Sequence, residues 1–215
     1  MKLSHLLAGV VTVVMLAAPA TAEVMIDPTA VSSPSGDFGG AFALVNLINQ
    51  SGLSATYISG VTDFATFTAT TTHNSPDGGT NSGFTAFGSH PPETLTLTLP
   101  GPTLIDEVAF WGTGNSGSVT EFELSNGSTL IGGPFSPAAG TGTNDPAQTF
   151  SFSPTLLSSV DAVLLDTAGG TGQIPGIGEI AFGALPAPAL PEPTSLVLLA
   201  TGVAGFGMLR RRKKR

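Results

Sequence analysis

The chain has 215 residues, enough for one domain of ordinary size with extra segments at its ends. It contains no cysteine, which excludes disulfides, thiol catalysis and cysteine-ligated zinc. Its seven Lys and Arg residues are Lys2 and the six residues of 210–215, so the segment between these ends has no Lys or Arg to neutralise phosphate, and its only basic residues after the N-terminal segment are His73 and His90. Nucleic-acid binding is therefore excluded, and a net charge of −8 suits a soluble anionic domain.

The N-terminus predicts a secretory signal peptide over residues 1–22. Lys2 precedes an apolar run over 6–18, and the small residues Ala20 and Ala22 flank Thr21 in an A-x-A pattern. Cleavage is expected before Glu23, which would start the exported domain. The alternative, an uncleaved anchor, is disfavoured because the run is short for a membrane span.

Residues 23–185 predict an all-β domain, an antiparallel β-sandwich of jelly-roll type. Thr94–Leu99 alternates Thr with Leu, as a strand with one buried face requires, and Asn126-Gly127 is typical of a hairpin turn. No stretch shows a convincing helical period, and Gly- and Ser-rich turns separate the apolar segments. The predicted strands are 65–72, 94–99, 105–111, 119–124, 148–152, 160–165 and 178–182.

The order of these segments resembles the discoidin-like, galactose-binding-type jelly rolls. The segments that carry the resemblance are 48–54, 59–64, 105–111, 119–124 and 177–182. The resemblance implies a binding module, with extracellular polysaccharide as the candidate partner. The basic residues that many members use against acidic ligands are absent here, so the resemblance assigns no particular ligand.

Jelly-roll modules of this kind often carry a structural calcium ion, and the chain offers oxygen ligands for one. Asn74, Asp77 and Asn81 lie in one Gly-rich loop, while Asp27 and Asp37 precede the first predicted strands. The spacing is not that of an EF-hand, and no other cofactor is predicted. An ordinary solvated loop is the alternative interpretation.

The residues do not predict a catalytic centre, and we expect no enzyme. His73 and His90 belong to no motif, and the carboxylate pairs Asp106/Glu107 and Glu121/Glu123 suit an acidic outer face better than a glycosidase site. Trp111 could cap the core or face a ligand. The phenylalanines expected in the core are Phe42, Phe64, Phe67, Phe84, Phe87, Phe110 and Phe122.

The C-terminus has four parts in order. A Pro/Ala linker over 186–190 leads to Pro191, Glu192 and Pro193, and 194–209 is uncharged and mostly apolar. The closing basic cluster is Arg210, Arg211, Arg212, Lys213, Lys214 and Arg215. We expect the apolar segment to be a membrane helix whose basic end stays cytoplasmic, which agrees with export of the domain.

This tail, over residues 191–215, resembles the PEP-CTERM sorting signal of Gram-negative bacteria. The resemblance implies recognition and processing by exosortase, after a transient stay in the inner membrane, in a bacterium that produces extracellular polysaccharide. The alternative is a plain anchor. We therefore expect a cell-surface or matrix protein that binds carbohydrate or is adhesive. A structural biofilm component without a ligand is the alternative, and a hydrolase is the least favoured.

Overall fold

The computed structural model describes residues 22–37, 42–74, 85–114 and 116–186. Eleven strands, one short α-helix (α1) and one 3-10 helix are present in this part of the chain. Their bounds are β1 Val24–Ile26, β2 Ala30–Ser32, the 3-10 helix Leu44–Leu47, α1 Phe64–Thr70, β3 Thr72–His73, β4 Thr85–Ala86, β5 Glu93–Trp111, β6 Val119–Asn126, β7 Thr129–Phe135, β8 Asp145–Pro146, β9 Gln148–Thr167, β10 Gly176–Ile177 and β11 Glu179–Ala184.

Two long antiparallel strands, β5 and β9, organise the sandwich. The first half of β5 pairs with the second half of β9, next to β2, β6 and β7. The second half of β5 pairs with the first half of β9 and with β11, and β1 closes that edge. The register shifts between Thr98 and Thr103, where β5 passes from one layer to the other. We call this bend the corner; the predicted strands 94–99 and 105–111 are parts of one strand that turns there.

The main core lies between the two layers. Leu95, Leu97 and Leu99 are buried, and the threonines between them are half-buried or exposed, which confirms the predicted alternation. They join Phe110, Phe122 and residues of β9 and β11 in one apolar cluster. Complete burial of each such side chain stabilises the fold by about 1.5–3 kcal/mol.

A second apolar cluster lies on the outer face of the layer that holds the end of β5. Phe64 and Phe67 of α1 and Tyr57 cover Ala109 and Trp111 there. Small residues at 109 and 181 let the covering segment approach closely, so both faces of this strand end are buried. Trp111 is fully buried and its Nε1 donates to Thr71 O at 3.3 Å, so it belongs to the core.

The strand predicted over 65–72 is wrong: residues 64–70 form α1, and the strand that follows is only Thr72–His73. Asp63 caps the helix, because its side chain accepts from Thr66 N at 2.7 Å. Thr68 Oγ1 also donates back to Phe64 O at 2.9 Å, so a Thr-rich segment tolerates the helix by satisfying its hydroxyls locally.

The predicted hairpin turn is confirmed, whereas the predicted acidic outer face of β6 is partly buried. The Asn126-Gly127 turn joins β6 to β7, and Gly127 has φ +58°, the left-handed region that favours glycine. Glu121 and Glu123 are half-buried, and the irregular register at the start of β6 leaves Val119 buried despite the strand alternation. Among the predicted core phenylalanines, Phe42 is half-buried and Phe84 lies outside the described residues, and the others are buried.

The predicted signal peptide over 1–22 lies outside the described residues except for exposed Ala22. The sorting tail over 191–215 and the linker after Pro186 lie outside them entirely. Within the described ranges no helix has the length and hydrophobicity that a bilayer crossing requires.

Candidate functional site

Three described loops meet at the end of the sandwich opposite the corner. They are 112–118, in which residue 115 is not described, 136–145 and 168–176, and we call them together the loop end. Each follows or precedes a strand of the core, because β5 ends at Trp111, β6 begins at Val119 and β9 both begins and ends on this side. The rigid layers therefore fix where the loops start and stop.

Hydrogen bonds tie the loops to one another. Gly176 N donates to Gly117 O at 2.8 Å, and Gly169 N donates to Ser116 O at 2.7 Å. The Ser116 hydroxyl donates to Gln173 Oε1 at 3.1 Å. The loop end is thus a connected framework, in which exposed groups hold defined positions.

The loop over 136–145 is organised by one buried carboxylate. Asp145 accepts from Thr141 N at 2.6 Å, Thr141 Oγ1 at 2.7 Å and Gly142 N at 2.7 Å. Asn144 has φ +51°, and its backbone N donates to Asn74 Oδ1 at 2.9 Å, which anchors the loop to the segment after β3. A Cβ on Gly114 would meet the backbone of Gly142, so glycine is required where two loops touch.

The accessible side chains of the loop end are neutral and polar. Apart from buried Asp145, its described residues include no ionisable side chain. Those that are exposed and can donate or accept include Ser116, Thr141, Thr143, Asn144 and Gln173. Fixed hydroxyl and amide groups of this kind match the hydroxyl groups of a neutral polyol, since neither partner must desolvate a charge.

Two carboxylates, the fully buried Glu179 and the half-buried Asp27, lie on the same outer face as Trp111. Glu179 is fully buried at the start of β11; its Oε1 accepts from Gln50 N at 3.3 Å and its Oε2 has no hydrogen-bond partner. Asp27 Oδ1 is also without one, and the Tyr57 hydroxyl lies close enough to Asp27 to affect its pKa but not at hydrogen-bonding geometry. Three oxygens therefore converge on one buried region. We call Asp27, Gln50, Tyr57 and Glu179 the carboxylate cluster.

Burial dominates the electrostatics of this cluster. Burial, and then the neighbouring Asp27, raise the pKa of Glu179 well above its ordinary 4.5. Burial raises the pKa of Asp27 too, and Gln50 partly offsets this. The pKa of Tyr57 is raised by burial, by Glu179 and by Asp27. Two ionised carboxylates are unfavourable here unless a proton or a cation compensates them.

Gln50 adopts a left-handed backbone conformation, φ +62°, that is uncommon for a side chain of its size. Its amide group bridges the main chain of Tyr57, accepting from Tyr57 N at 2.9 Å and donating to Tyr57 O at 3.2 Å. It also approaches Asp27 Oδ2 at 3.5 Å. These contacts offset the backbone cost and close the turn over the cluster.

The carboxylate cluster is connected to the loop end through His73. The residue after Gln50, Ser51, contacts His73 Nε2 through its carbonyl at 3.0 Å, and Asn74 N donates to Gly52 O at 2.9 Å. A Cβ on Gly178 would lie 2.7 Å from the His73 ring, so the ring fills the space that this glycine leaves. Asn74, which anchors the 136–145 loop, is held by this packed chain of contacts.

The calcium site predicted from the sequence stays a prediction. Asn74 Oδ1 accepts from Asn144 N, and Asp77 and Asn81 lie outside the described residues. No group of three or more His, Asp or Glu residues that could hold a metal occurs in the described ranges. Asp27 lies in the carboxylate cluster, and Asp37 Oδ2 accepts from Leu44 N at 3.2 Å.

Glu179 was missed because the resemblance suggested only a closing strand there. An acid between apolar residues of a strand was the available signal, since Ile177, Ile180 and Phe182 are all buried. A carboxylate in such a run must be paired or carry a compensating charge.

The candidate catalytic residues differ in burial. His73 is fully buried and His90 is exposed. Glu107 Oε1 accepts from Ser151 Oγ at 3.1 Å, while burial raises the pKa of Asp106, whose Oδ1 has no hydrogen-bond partner. The carboxylates of β6 are both half-buried. That the chain is not an enzyme stays a prediction.

Residues 189–213 match the family model described as the PEP-CTERM protein-sorting motif. The tail is therefore such a motif, as the order of its parts predicts, and it indicates an exported protein that exosortase processes. The motif covers Pro191, Glu192 and Pro193 and the basic residues up to Lys213. No curated protein matches the chain.

Among solved structures, the chain is similar to carbohydrate-binding modules of family 32 (CBM32). The module of NanJ from Clostridium perfringens, in complex with galactose, is 17% identical, with 75% of this chain and 98% of that chain covered and a TM-score of 0.48. The module of AlyQ, in complex with 4,5-unsaturated mannuronic acid, is 15% identical, with 74% of this chain and 96% of that chain covered and a TM-score of 0.46. The paired modules of ZmpB from Clostridium perfringens are 12% identical, with 74% of this chain and 36% of that chain covered and a TM-score of 0.49.

Proposed function

We propose that the chain is an exosortase-sorted surface or matrix protein that binds neutral extracellular polysaccharide through the loop end. The observation that carries this proposal is the set of exposed hydroxyl and amide groups on loops that are hydrogen-bonded to one another. A framework that is already ordered loses little conformational entropy when it binds a polyol. The absence of Lys and Arg between residues 3 and 209 favours an uncharged glycan over an acidic one.

The proposed route to the surface uses both ends of the chain. Signal peptidase cleaves before Glu23, the apolar segment 194–209 holds the precursor in the inner membrane, and the basic cluster 210–215 stays cytoplasmic. Exosortase then processes the tail close to Pro191-Glu192-Pro193. The mature protein would carry no Lys or Arg and would be wholly anionic.

We also propose that the carboxylate cluster holds a structural cation, with calcium as the candidate. Asp27 and Glu179 would supply charged oxygens, and the Tyr57 hydroxyl lies beside them. The orphaned Glu179 Oε2 in a fully buried position supports this assignment, because a cation would compensate the charge that burial penalises. Bound there, the ion would stabilise the turn that closes over the cluster.

Affinity measurements with polysaccharide purified from the producing bacterium test the binding proposal. Ser116→Ala and Thr143→Ala remove exposed hydroxyls of the loop end, and we expect both to weaken binding. Ser128→Ala and Thr129→Ala, which remove the same groups from the exposed β6–β7 hairpin, are the matched controls. Equal affinity of all four variants would refute the loop end as the binding surface. No binding by the unaltered protein would favour the structural biofilm component instead.

A further inference from the structure

An apolar groove of about 550 Å³ lies at the corner, at the other end of the sandwich from the loop end. Aliphatic side chains line it, among them Val24 and Ile26 of β1, Leu104 of β5, Leu156 of β9 and Leu185. We call it the corner groove. Ile26 also belongs to the main core and Val24 packs against it, whereas Leu104, Leu156 and Leu185 belong to neither the core clusters nor the proposed binding surface.

The rim of the corner groove exposes large aliphatic side chains. Leu156 is 64% exposed, and Ile58 and Val61, which flank the groove-lining Gly60, are 66% and 68% exposed. The turn that bears them is fixed to β1, since Gly60 N donates to Met25 O at 2.7 Å and Met25 N donates to Thr62 O at 2.8 Å. Only two other large hydrophobic residues are exposed in the described ranges, Val45 and Leu130, and both are less exposed than these three. A cluster of apolar groups held outward in this way is typical of an interaction surface.

Both ends of the domain leave at the corner groove. Val24 pairs with Ala184, so the start of the exported domain lies beside its end, and Pro186 itself lines the groove. Seven residues, 187–193, separate Pro186 from the apolar segment 194–209. Fully extended, they reach about 25 Å, at ~3.5 Å per residue. With the tail inserted, the groove is therefore held close to the membrane surface.

We propose that the corner groove and its rim dock the domain onto the lipid surface of the membrane that holds its own tail. The ionisable groups near β1 are all acidic: Glu23, Asp63, Asp106 and Glu107. Because no Lys or Arg accompanies them, this end of the domain cannot bind anionic lipid headgroups by charge, and the contact with the membrane must be apolar. We expect the docking to persist in high salt and to weaken as anionic lipid is added. The proposal rests on membrane insertion of 194–209. Its consequence is that the loop end faces away from the membrane.

The natural absence of cysteine makes a site-by-site test possible. Single variants Ile58→Cys, Val61→Cys and Leu156→Cys of the full chain, with an environment-sensitive fluorophore attached, would be reconstituted into phosphatidylcholine vesicles. Leu130→Cys and Val45→Cys are matched controls for exposed aliphatic residues elsewhere. We expect blue-shifted emission, quenching by brominated lipid and loss of quenching by iodide at 58, 61 and 156 only. Unchanged emission of buried Trp111 in fluorophore-free samples of each variant would show that the fold is retained.

Three results would overturn the docking. In the first, the chains float with the vesicles, but the labels at 58, 61 and 156 stay as accessible to iodide as those at 130 and 45. This result refutes the docking and leaves the membrane segment standing. Labels that are shielded from iodide but not quenched by brominated lipid show that protein, either residues 187–190 or a second copy, fills the groove. Chains that fail to float refute the membrane segment and the docking together.

Discussion

The substitution Glu179→Gln tests whether the buried carboxylate needs a compensating charge. The amide has nearly the same size but carries no charge, so the desolvation cost of the ionised group is removed. Without divalent cations at neutral pH, we expect the variant to be more stable than the wild type by about 1–3 kcal/mol. A domain of this size gains ~2–4 °C in Tm for each kcal/mol, so the expected rise is about 2–12 °C.

In calcium, we expect the wild type to become at least as stable as Glu179→Gln. A calcium concentration 100 times the dissociation constant stabilises the wild type by about 2.7 kcal/mol, and the variant should gain much less because it lacks a charged ligand. Thermal unfolding followed by circular dichroism, in EDTA and in calcium, measures both effects. Glu121→Gln, at a half-buried carboxylate of β6, is the control and should leave the calcium effect unchanged.

The pH dependence gives an independent check on Glu179. Its pKa is raised in the folded state, so the folded protein binds the proton more tightly than the unfolded chain does. This stability is fully present below 4.5 and is lost as pH rises through the raised folded-state pKa. The loss should be smaller in Glu179→Gln and in saturating calcium, while Asp27 and Asp106, whose pKa values are also raised, keep their own contributions. The reasoning is refuted if wild type and variant show the same pH profile and neither responds to calcium.

Three further predictions concern the loop end, the core and the processing. Gly114→Ala places a Cβ against the Gly142 backbone and should destabilise the protein by about 1–3 kcal/mol in urea unfolding, whereas Gly172→Ala, which has open space, should change little. Trp111, the single Trp, should emit at short wavelength and resist acrylamide with or without polysaccharide; a ligand-dependent change in acrylamide quenching would place it at the binding surface instead. Intact-mass analysis of the surface form should show a chain that begins at Glu23 and lacks 210–215, and finding these six residues there would reduce the tail to an ordinary anchor.

The β-rich fold was predictable because burial leaves a period of two in the sequence. The Thr/Leu alternation over 94–99 and the Asn126-Gly127 turn depend only on neighbouring residues, so they can be recognised without knowing the rest of the fold. The continuity of β5 and β9 around the corner was not predictable from separate segments. Helix α1 was missed because threonine favours strands in isolation. Its Asp63 cap and the spacing of Phe64 and Phe67 were the opposing signals.

The sorting tail could be identified from the sequence because its recognition depends on the order of segments within one short stretch. The carboxylate cluster could not, because Asp27, Gln50 and Glu179 are far apart in the chain and only the pairing of β1 with β11 and the turn over 50–57 bring them together. The loop end was equally hidden. Its Gly- and Ser-rich segments are typical of any turn, and their contacts with one another depend on where β5, β6 and β9 end.

Hydrogen–deuterium exchange of the mature protein, with and without the producer's polysaccharide, tests the central claim most directly. The proposed function predicts protection at 112–118, 136–145 and 168–176, and none at the corner segments 58–62 and 102–104. Protection confined to the corner, or no change at a polysaccharide concentration that saturates binding, would contradict the assignment of the loop end as the surface that contacts glycan.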